Sequence, residues 1–514
     1  MSTSKALRYI ILPARGLQTQ ANQEGLKFLL SLSRSVGAMA VPEFSLASPK
    51  PKSRPKIKVL DSIHENGAKL VELSQEEMMR LRTAEPGIRI VSEVEYRLAY
   101  VAYPGIAKAV GAPRRVARTA AAGAGTVAAA ATAGPVTIRV TGNGAPVRGV
   151  KVIAFTDFAA RAGAQGLSNV SGIVKLNLPG SSNRVERLFA LPQNGFWPFM
   201  KKNVTLSPAT TIALPPIDFS ADDCVRHLYG RPELEAGSGV KVGVIDCGIA
   251  NHPDLRLDGG VNTVTGESPS NFGDNGMEGH GTHVGGIVAA RGSAPTGMRG
   301  VAPGVTLRSY RVFGQGQKGA SNFAIAKAID AAVADGCDLI NMSLGGGEDD
   351  PTTDEAITAA RAAGVVVMAA TGNDNRSPVS FPAKFDLCLA VSAMGRKGTF
   401  PANTATQDRV ASPFGADPAN FTASFSNVGE DTDLTGPGVG VVSTVPTGYA
   451  IMDGTSMACP AAVGALARQL AKHPEILSMS RDQARSNAIV GLFGSVVSPL
   501  GFGPMFEGNG LIER

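Results

Sequence analysis

The sequence predicts an α/β fold. A doubly wound parallel sheet occupies the C-terminal part, and an α+β ferredoxin-like region and a small β-sandwich precede it. Three observations carry this expectation. Beyond about residue 217, short apolar runs rich in β-branched residues (KVGVID, TLRSYRVF, DLINMSL, VVVMAAT, LCLAVSAM) alternate with stretches of helical spacing. Buried parallel strands and their crossover helices read this way. Between 136 and 216 the chain gives only short strands parted by turn residues. In residues 1–103 the order of patterns is β-α-β-β-α-β.

At the N-terminal end RYIILP is a strand, and NQEGLKFLLSLSRS carries apolar residues at helical spacing. A Pro/Lys-rich bridge, SPKPKSRPK, leads to KIKVLDSI and AKLVELS, two strands around the turn His64-Glu65-Asn66-Gly67. Ser74 caps the helix QEEMMRLRTA, with Glu77 in the capping-box position. IRIVSEVEYRLAY reads as one last strand. Residues 104–135, rich in Pro, Ala and Gly, read as a protease-sensitive linker. VTIRVTG, GVKVIAFTD, GIVKLNLP and NVTLSP are the strands of the sandwich at 136–216. That pattern resembles transthyretin-like or carboxypeptidase-regulatory modules. Residues 217–514 form the α/β region, whose active groups belong at the carboxyl ends of its strands.

A chain of 514 residues exceeds one ordinary compact domain. Its 43% hydrophobic and 18% charged content suits globular folding. A net charge of +6 and a pI near 9.0 are a mild bias at this length, so the charge reads as solvated surface and not as a nucleic-acid footprint. None of the five cysteines (Cys224, Cys247, Cys337, Cys388, Cys459) stands in a C-x-x-C pair. This leaves no zinc or redox motif, and an odd count points to reduced thiols. The apolar core Tyr9–Leu12 is too short for a signal peptide, and no run approaches 18 strongly apolar residues. The reading is therefore no membrane span, with a cytoplasmic or non-classically exported protein and the compartment undetermined.

Chemistry concentrates at four positions. Asp246 ends a strand, a common place for ligand-site residues. His280 lies in GHGTHVGG at the mouth of a helix. A metal reading would pair it with His283, but no third ligand of the right type is near, so no metal site is expected. Ser456, in DGTSMACP, precedes a long helix, whose dipole favours developing negative charge. Each alone has a bland reading as a cap or core residue. Together they are a hydroxyl nucleophile, an imidazole to take its proton and a carboxylate to hold the imidazole tautomer. Asn373, in AATGN after a strand, supplies an amide for an oxyanion. The order Asp, His, Ser and the lack of a G-x-S-x-G elbow exclude the lipase and esterase arrangement.

The segments VGVIDCGI, GHGTHVGG, NMSLGGG, AATGN and GTSMACP strongly resemble the signature blocks of the subtilase family, in order, across about residues 220–514. The resemblance implies a subtilisin-like catalytic domain at 217–514, a serine endopeptidase acting on protein or peptide substrates through an acyl-enzyme. Asp246, His280 and Ser456 are then the triad and Asn373 the oxyanion donor. Ser343, Leu344 and Gly345 would pair with the substrate backbone, and Gly372 would line the specificity pocket. Residues 1–103 resemble the subtilase propeptide. This implies a self-processing zymogen whose own propeptide is an intramolecular inhibitor, with Ala99-Tyr100-Val101-Ala102-Tyr103 lying in the cleft. A pocket walled by Gly345 and Gly372 is expected to take large apolar residues. Cys247 and Cys459, beside the triad, lead to an expected sensitivity to thiol reagents. No cofactor is expected. RGSAPTGMRG replaces a loop that in many subtilases helps bind calcium, so a structural calcium is not supported there, although Asp254 remains a possible ligand. The alternative function is a scaffold that keeps the subtilase shape without turnover, and the intact triad argues against it.

Overall fold

The computed structural model describes residues 6–14, 20–33, 36–37, 39–40, 57–106, 135–179, 183–277 and 279–514. Most of the expected linker, 107–134, and the SPKPKSRPK bridge lie outside the described residues.

The first strand is apolar on both faces because both faces are covered. β1 (Leu7–Pro13), α1 (Gln20–Ser33), β2 (Met39–Ala40), β3 (Ile57–Ser62), β4 (Lys69–Leu73), α2 (Gln75–Ala84) and β5 (Ile88–Ser92) form a sheet ordered β2-β3-β4-β1-β5. All its pairings are antiparallel. Ile11 packs in a cluster with Phe28 and Leu29 of α1 and Met78 and Leu81 of α2. Ile10 and Leu12, on the other face, join Phe323 from the C-terminal region. Ser74 and Glu77 form the expected capping box.

IRIVSEVEYRLAY is not one strand. It breaks at Glu93-Val94 into β5 and β6 (Glu95–Leu98), which belong to different sheets. The corner is pinned from far away: Val94 N donates to Asn322 Oδ1 at 3.1 Å, and Val94 O accepts from Asn322 N at 2.8 Å.

Next come β7 (Val136–Gly142), β8 (Ala145–Pro146), β9 (Lys151–Asp157), β10 (Ala162–Leu167), β11 (Ile173–Leu176), β12 (Arg184–Leu191), β13 (Phe199–Thr205) and β14 (Thr211–Leu214). They make two sheets, β10-β9-β12-β13 and β11-β7-β14, with β8 on β7. Ile138, Val152, Val185 and Ile212 share one core. This two-sheet unit is fastened to the C-terminal region by Trp197, which clusters with Val442 and Ile451, and by Arg187 and Lys202, which pair with Asp408 at 2.8 and 2.7 Å.

The remaining chain contains α3 (Cys224–Tyr229), β15 (Lys241–Asp246), β16 (Leu257–Asn262), α4 (His280–Ala289), β17 (Thr306–Arg311), β18 (Ala320–Ser321), α5 (Asn322–Ala334), β19 (Leu339–Met342), β20 (Leu344–Gly345), α6 (Pro351–Ala362), β21 (Val366–Ala370), β22 (Cys388–Arg396), β23 (Val410–Phe414), β24 (Asn420–Ala423), β25 (Leu434–Pro437) and α7 (Thr455–Leu470). The sheet runs β16-β17-β15-β19-β21-β22-β24-β23, with β25 on β22. Its pairs from β16 to β22 are parallel, and β24 and β23 close the edge antiparallel. One face buries Val242, Val244 and Met368 among residues of α4 and α7. The other buries Ile245, Ile340 and Val367 among residues of α5 and α6. Helices on both faces make this a doubly wound α/β domain.

Candidate active site

Asp246 is the last residue of β15 and is fully buried. His280 opens α4, and its Nδ1 bonds to both Asp246 oxygens, at 2.9 and 3.0 Å. The helix can approach this closely because residue 281 is glycine: a Cβ there would lie 2.3 Å from Gly248 O and 3.1 Å from Asp246 Oδ1. Cys247 N donates to Asp246 Oδ1 at 2.7 Å, fixing the carboxylate.

Ser456 stands in the first turn of α7 and is fully buried. Its hydroxyl does not reach His280. It donates to Ser343 O at 2.9 Å, and Ser343 Oγ returns a bond to Ser456 O at 2.9 Å. His280 Nε2 is buried without a hydrogen-bond partner. Asn373, three residues past β21, accepts from Thr455 N and Thr455 Oγ1 at 2.9 and 3.1 Å through its oxygen, which leaves its buried Nδ2 unpartnered. An unmade bond on a buried donor is costly, by about 1–3 kcal/mol. Two such groups in one site are therefore poised for a further acceptor and a proton.

The cleft is occupied by the chain itself. β6 pairs with β18 on one side (Tyr96 opposite Ala320) and with β20 on the other (Leu98 opposite Leu344, Arg97 opposite Gly345). Ala99 N donates to Ser343 O at 3.2 Å, Ser456 N donates to Ala99 O at 3.0 Å, and Val101 N donates to Asp453 O at 2.9 Å. Gly454 permits the crossing, since a Cβ there would lie 2.8 Å from Ala99 O and 2.9 Å from the Tyr100 Cα. Tyr96 is wholly buried, its hydroxyl bonded to Asp350, in a space left by Gly347. The ring of Tyr100 leans on His280 at 5.4 Å.

Ser343, Leu344 and Gly345 thus edge the occupied cleft. Gly372 and Gly345 bracket a narrow slot: a Cβ on either would lie 2.8 Å from Ser380 Oγ, and one on Gly372 would also lie 2.5 Å from Asn427 Nδ2. Ser380 and Asn427 make this slot polar, which the glycine walls alone did not reveal. Asp374 is exposed at the rim, bonded to Asn427 Nδ2 at 3.1 Å.

Sequence reasoning missed three neighbours. Asp274 lies by Thr282 (3.3 Å) and Cys247, and burial, more than any neighbouring charge, pushes its carboxyl up. Thr455 orients Asn373. Asp453, buried, takes Gly440 N and Arg409 Nε at 2.8 and 3.0 Å. Asp453 and Thr455 lie in DGTSMACP itself and could have been found beside Ser456, whereas Asp274 carries no motif. The expected thiol sensitivity is not supported by the packing: all five cysteines are buried, and desolvation first, then the charge of Asp246, holds the Cys247 thiol far above its usual range. His283 is held neutral, its pKa lowered to about 3 by burial and then by His280. The Asp254 carboxylate is already engaged within the protein. It accepts from Met298 N and Tyr449 Oη at 3.1 and 2.7 Å, and the Arg299 guanidinium takes Gly292 O and Pro232 O at 2.9 and 2.7 Å.

Residues 237–490 match the subtilase family. Subtilisin DY of Bacillus licheniformis is 38% identical over 300 residues, which cover 55% of this chain and 96% of that protein. Subtilisin Savinase of Lederbergia lenta is 36% identical over 265 residues, 50% of this chain and 88% of that protein. Alkaline elastase YaB of Bacillus sp. (strain YaB) is 39% identical over 252 residues, 49% of this chain and 58% of that protein. The chain belongs to the subtilase family. This subtilase is a subtilisin-like serine endopeptidase, with protein or peptide substrates. Among the described residues of the subtilase no helix is long and apolar enough to cross a membrane.

Proposed function

We propose that Ser456 is the nucleophile, His280 its general base and Asp246 the group that orients the imidazole. The Ser456 amide and Asn373 Nδ2 receive the oxyanion. Residues 1–99 act as a propeptide, and the enzyme cuts its own chain between Ala99 and Tyr100. The observation that carries this reading is the bond from Ser456 N to Ala99 O at 3.0 Å. A carbonyl held by the amide of the nucleophile's own residue is already where a tetrahedral oxyanion would be stabilised.

The steps follow from the geometry. Ser456 Oγ turns from Ser343 O toward the free Nε2 of His280 and loses its proton there as it attacks the Ala99 carbonyl carbon. Asn373 Nδ2 gains its missing acceptor as negative charge develops. The imidazolium, held by Asp246, protonates the Tyr100 nitrogen, and the Ala99–Tyr100 bond breaks. Water, deprotonated by His280, then attacks the ester carbonyl, and the imidazolium returns the proton to Ser456 Oγ as the Ala99 carboxylate leaves. No cofactor enters. The freed 1–99 segment keeps its contacts along β18 and β20 and through Lys327–Asp61, at 2.8 Å, and so inhibits as a bound product. The subtilisins among the relatives agree with this reading.

N-terminal sequencing of purified protein tests it. A mature chain beginning at Tyr100 is expected, and a chain beginning anywhere beyond Tyr103 with no Tyr100 form at early times would contradict it. Separately added residues 1–99 should slow the mature enzyme at micromolar concentration.

A further inference from the structure

Beyond Ala99 the chain does not leave the surface. It runs to Tyr103, four residues past the carbonyl held by Ser456, and there meets the two-sheet unit. The Tyr103 ring lies 6.2 Å from Phe189 of β12, tilted by 52°. The Arg409 guanidinium stands 5.5 Å from the centre of the same ring. Neither wall is loose. Phe189 packs on Phe155 and Phe158 at 6.0 and 6.5 Å, and those two meet edge to face at 5.1 Å. Arg409 is tethered by the buried Asp453 at 3.0 Å. That same Asp453 accepts Val101 N through its carbonyl, so one residue fixes both the backbone after Ala99 and the cation near the ring. Burial holds the Tyr103 phenol above its usual range, and its hydrogen bond to Arg409 acts the other way.

An aromatic face and a fixed guanidinium suit a flat ring. Aromatic pairs, and a guanidinium near a ring, each add attraction beyond area burial. We propose that the two-sheet unit completes the far side of the substrate cleft, and that the cradle between Phe189 and Arg409 is a recognition site for an aromatic side chain four residues beyond the bond that is cut. In the uncut chain Tyr103 fills it. In a substrate, a Tyr or Phe at that position takes its place. This makes the unit at 136–216 a specificity module and not a spacer. The inference rests on the reading of Ala99–Tyr100 as a cleavable bond.

The test uses the full chain carrying Tyr103→Ala, after self-processing and separation from residues 1–99, so that neither the tethered ring nor the bound product is present. Quenched peptides repeat residues 96–102 and differ only in the next residue, Tyr or Ala. The Tyr peptide should have a kcat/KM about tenfold higher. Adding Phe189→Ala should bring that ratio close to one. Phe189→Leu, which keeps apolar bulk without a ring, is the second variant and should lower it in the same direction. Equal rates for the two peptides before Phe189 is changed, or a ratio that survives its removal, overturn the cradle and leave the triad reading standing. Failure to cut either peptide overturns the cleavage reading itself, and the cradle with it.

Discussion

Ser456 and Ser343 exchange two hydrogen bonds, each hydroxyl donating to the other's carbonyl at 2.9 Å. The Ser456 hydroxyl is thereby turned away from His280 while the Ser456 amide holds Ala99 O. The proposed self-cleavage has to break this bond first. The first-order rate of self-cleavage should therefore fall below kcat for an added peptide carrying the residue 96–102 sequence. Stopped-time gels against steady-state turnover compare them, and an equal or faster self-cleavage contradicts the need for rotation.

Asn373 holds its amide free by giving its oxygen to Thr455. Asn373→Ala should lower kcat by about 10²–10³ with KM little changed, as loss of one oxyanion donor does; that magnitude was measured in a subtilisin and is carried over from the family. Thr455→Val, which removes one of the two bonds to Asn373, should cost less, about tenfold. A KM effect with kcat intact would mean that Asn373 binds substrate and does not stabilise charge.

Ser380 Oγ lies against both Gly345 and Gly372. Ser380→Gly should raise the kcat/KM ratio of Phe over Ala before the scissile bond by about tenfold, since fit in an apolar pocket changes by about 1–3 kcal/mol per methylene. A cleavage profile unchanged by the substitution would show that Ser380 does not limit the slot.

Thiol reagents should leave the native enzyme active. All five cysteines are buried, and the thiols of Cys247 and Cys459 are held protonated by desolvation. Titration with an aromatic disulfide should count no thiol in the native protein and all five after denaturation. Rapid labelling with loss of activity would contradict the packing around Asp246.

Asp433, whose carboxylate accepts Ala390 N at 2.7 Å, has its pKa pushed to about 6 by burial. An unfolded Asp titrates at about 3.9, so between these values the native state holds more protons than the unfolded state. This contribution to stability is present at low pH and is lost as pH rises through about 6. Asp433→Asn keeps an acceptor for Ala390 and should flatten the stability profile between about pH 4 and 6. Urea midpoints in the Ser456→Ala background measure it, and an unchanged slope contradicts the assignment.

The site was legible where chemistry coincides with element ends. Asp246 closes a strand, His280 and Ser456 open helices, and Asn373 follows a strand, and each is marked by glycines that allow close approach. The break at Glu93-Val94 was not legible. Val94, Tyr96 and Leu98 continue the alternation of Ile88 and Ile90, and the residue that turns the chain is Asn322, 228 positions away. The polar slot at Ser380 and the burial of Cys247 were hidden for a similar reason. Both depend on which distant segment packs over a residue, and local composition does not record that.

The proposed cut by Ser456 at the bond it holds is tested most directly by the intact mass of purified Ser456→Ala. The expected result is a full-length 52.9 kDa chain with no cut between Ala99 and Tyr100, folded and inert toward added peptide. A Ser456→Ala protein that still yields a Tyr100 N-terminus when incubated alone would contradict it.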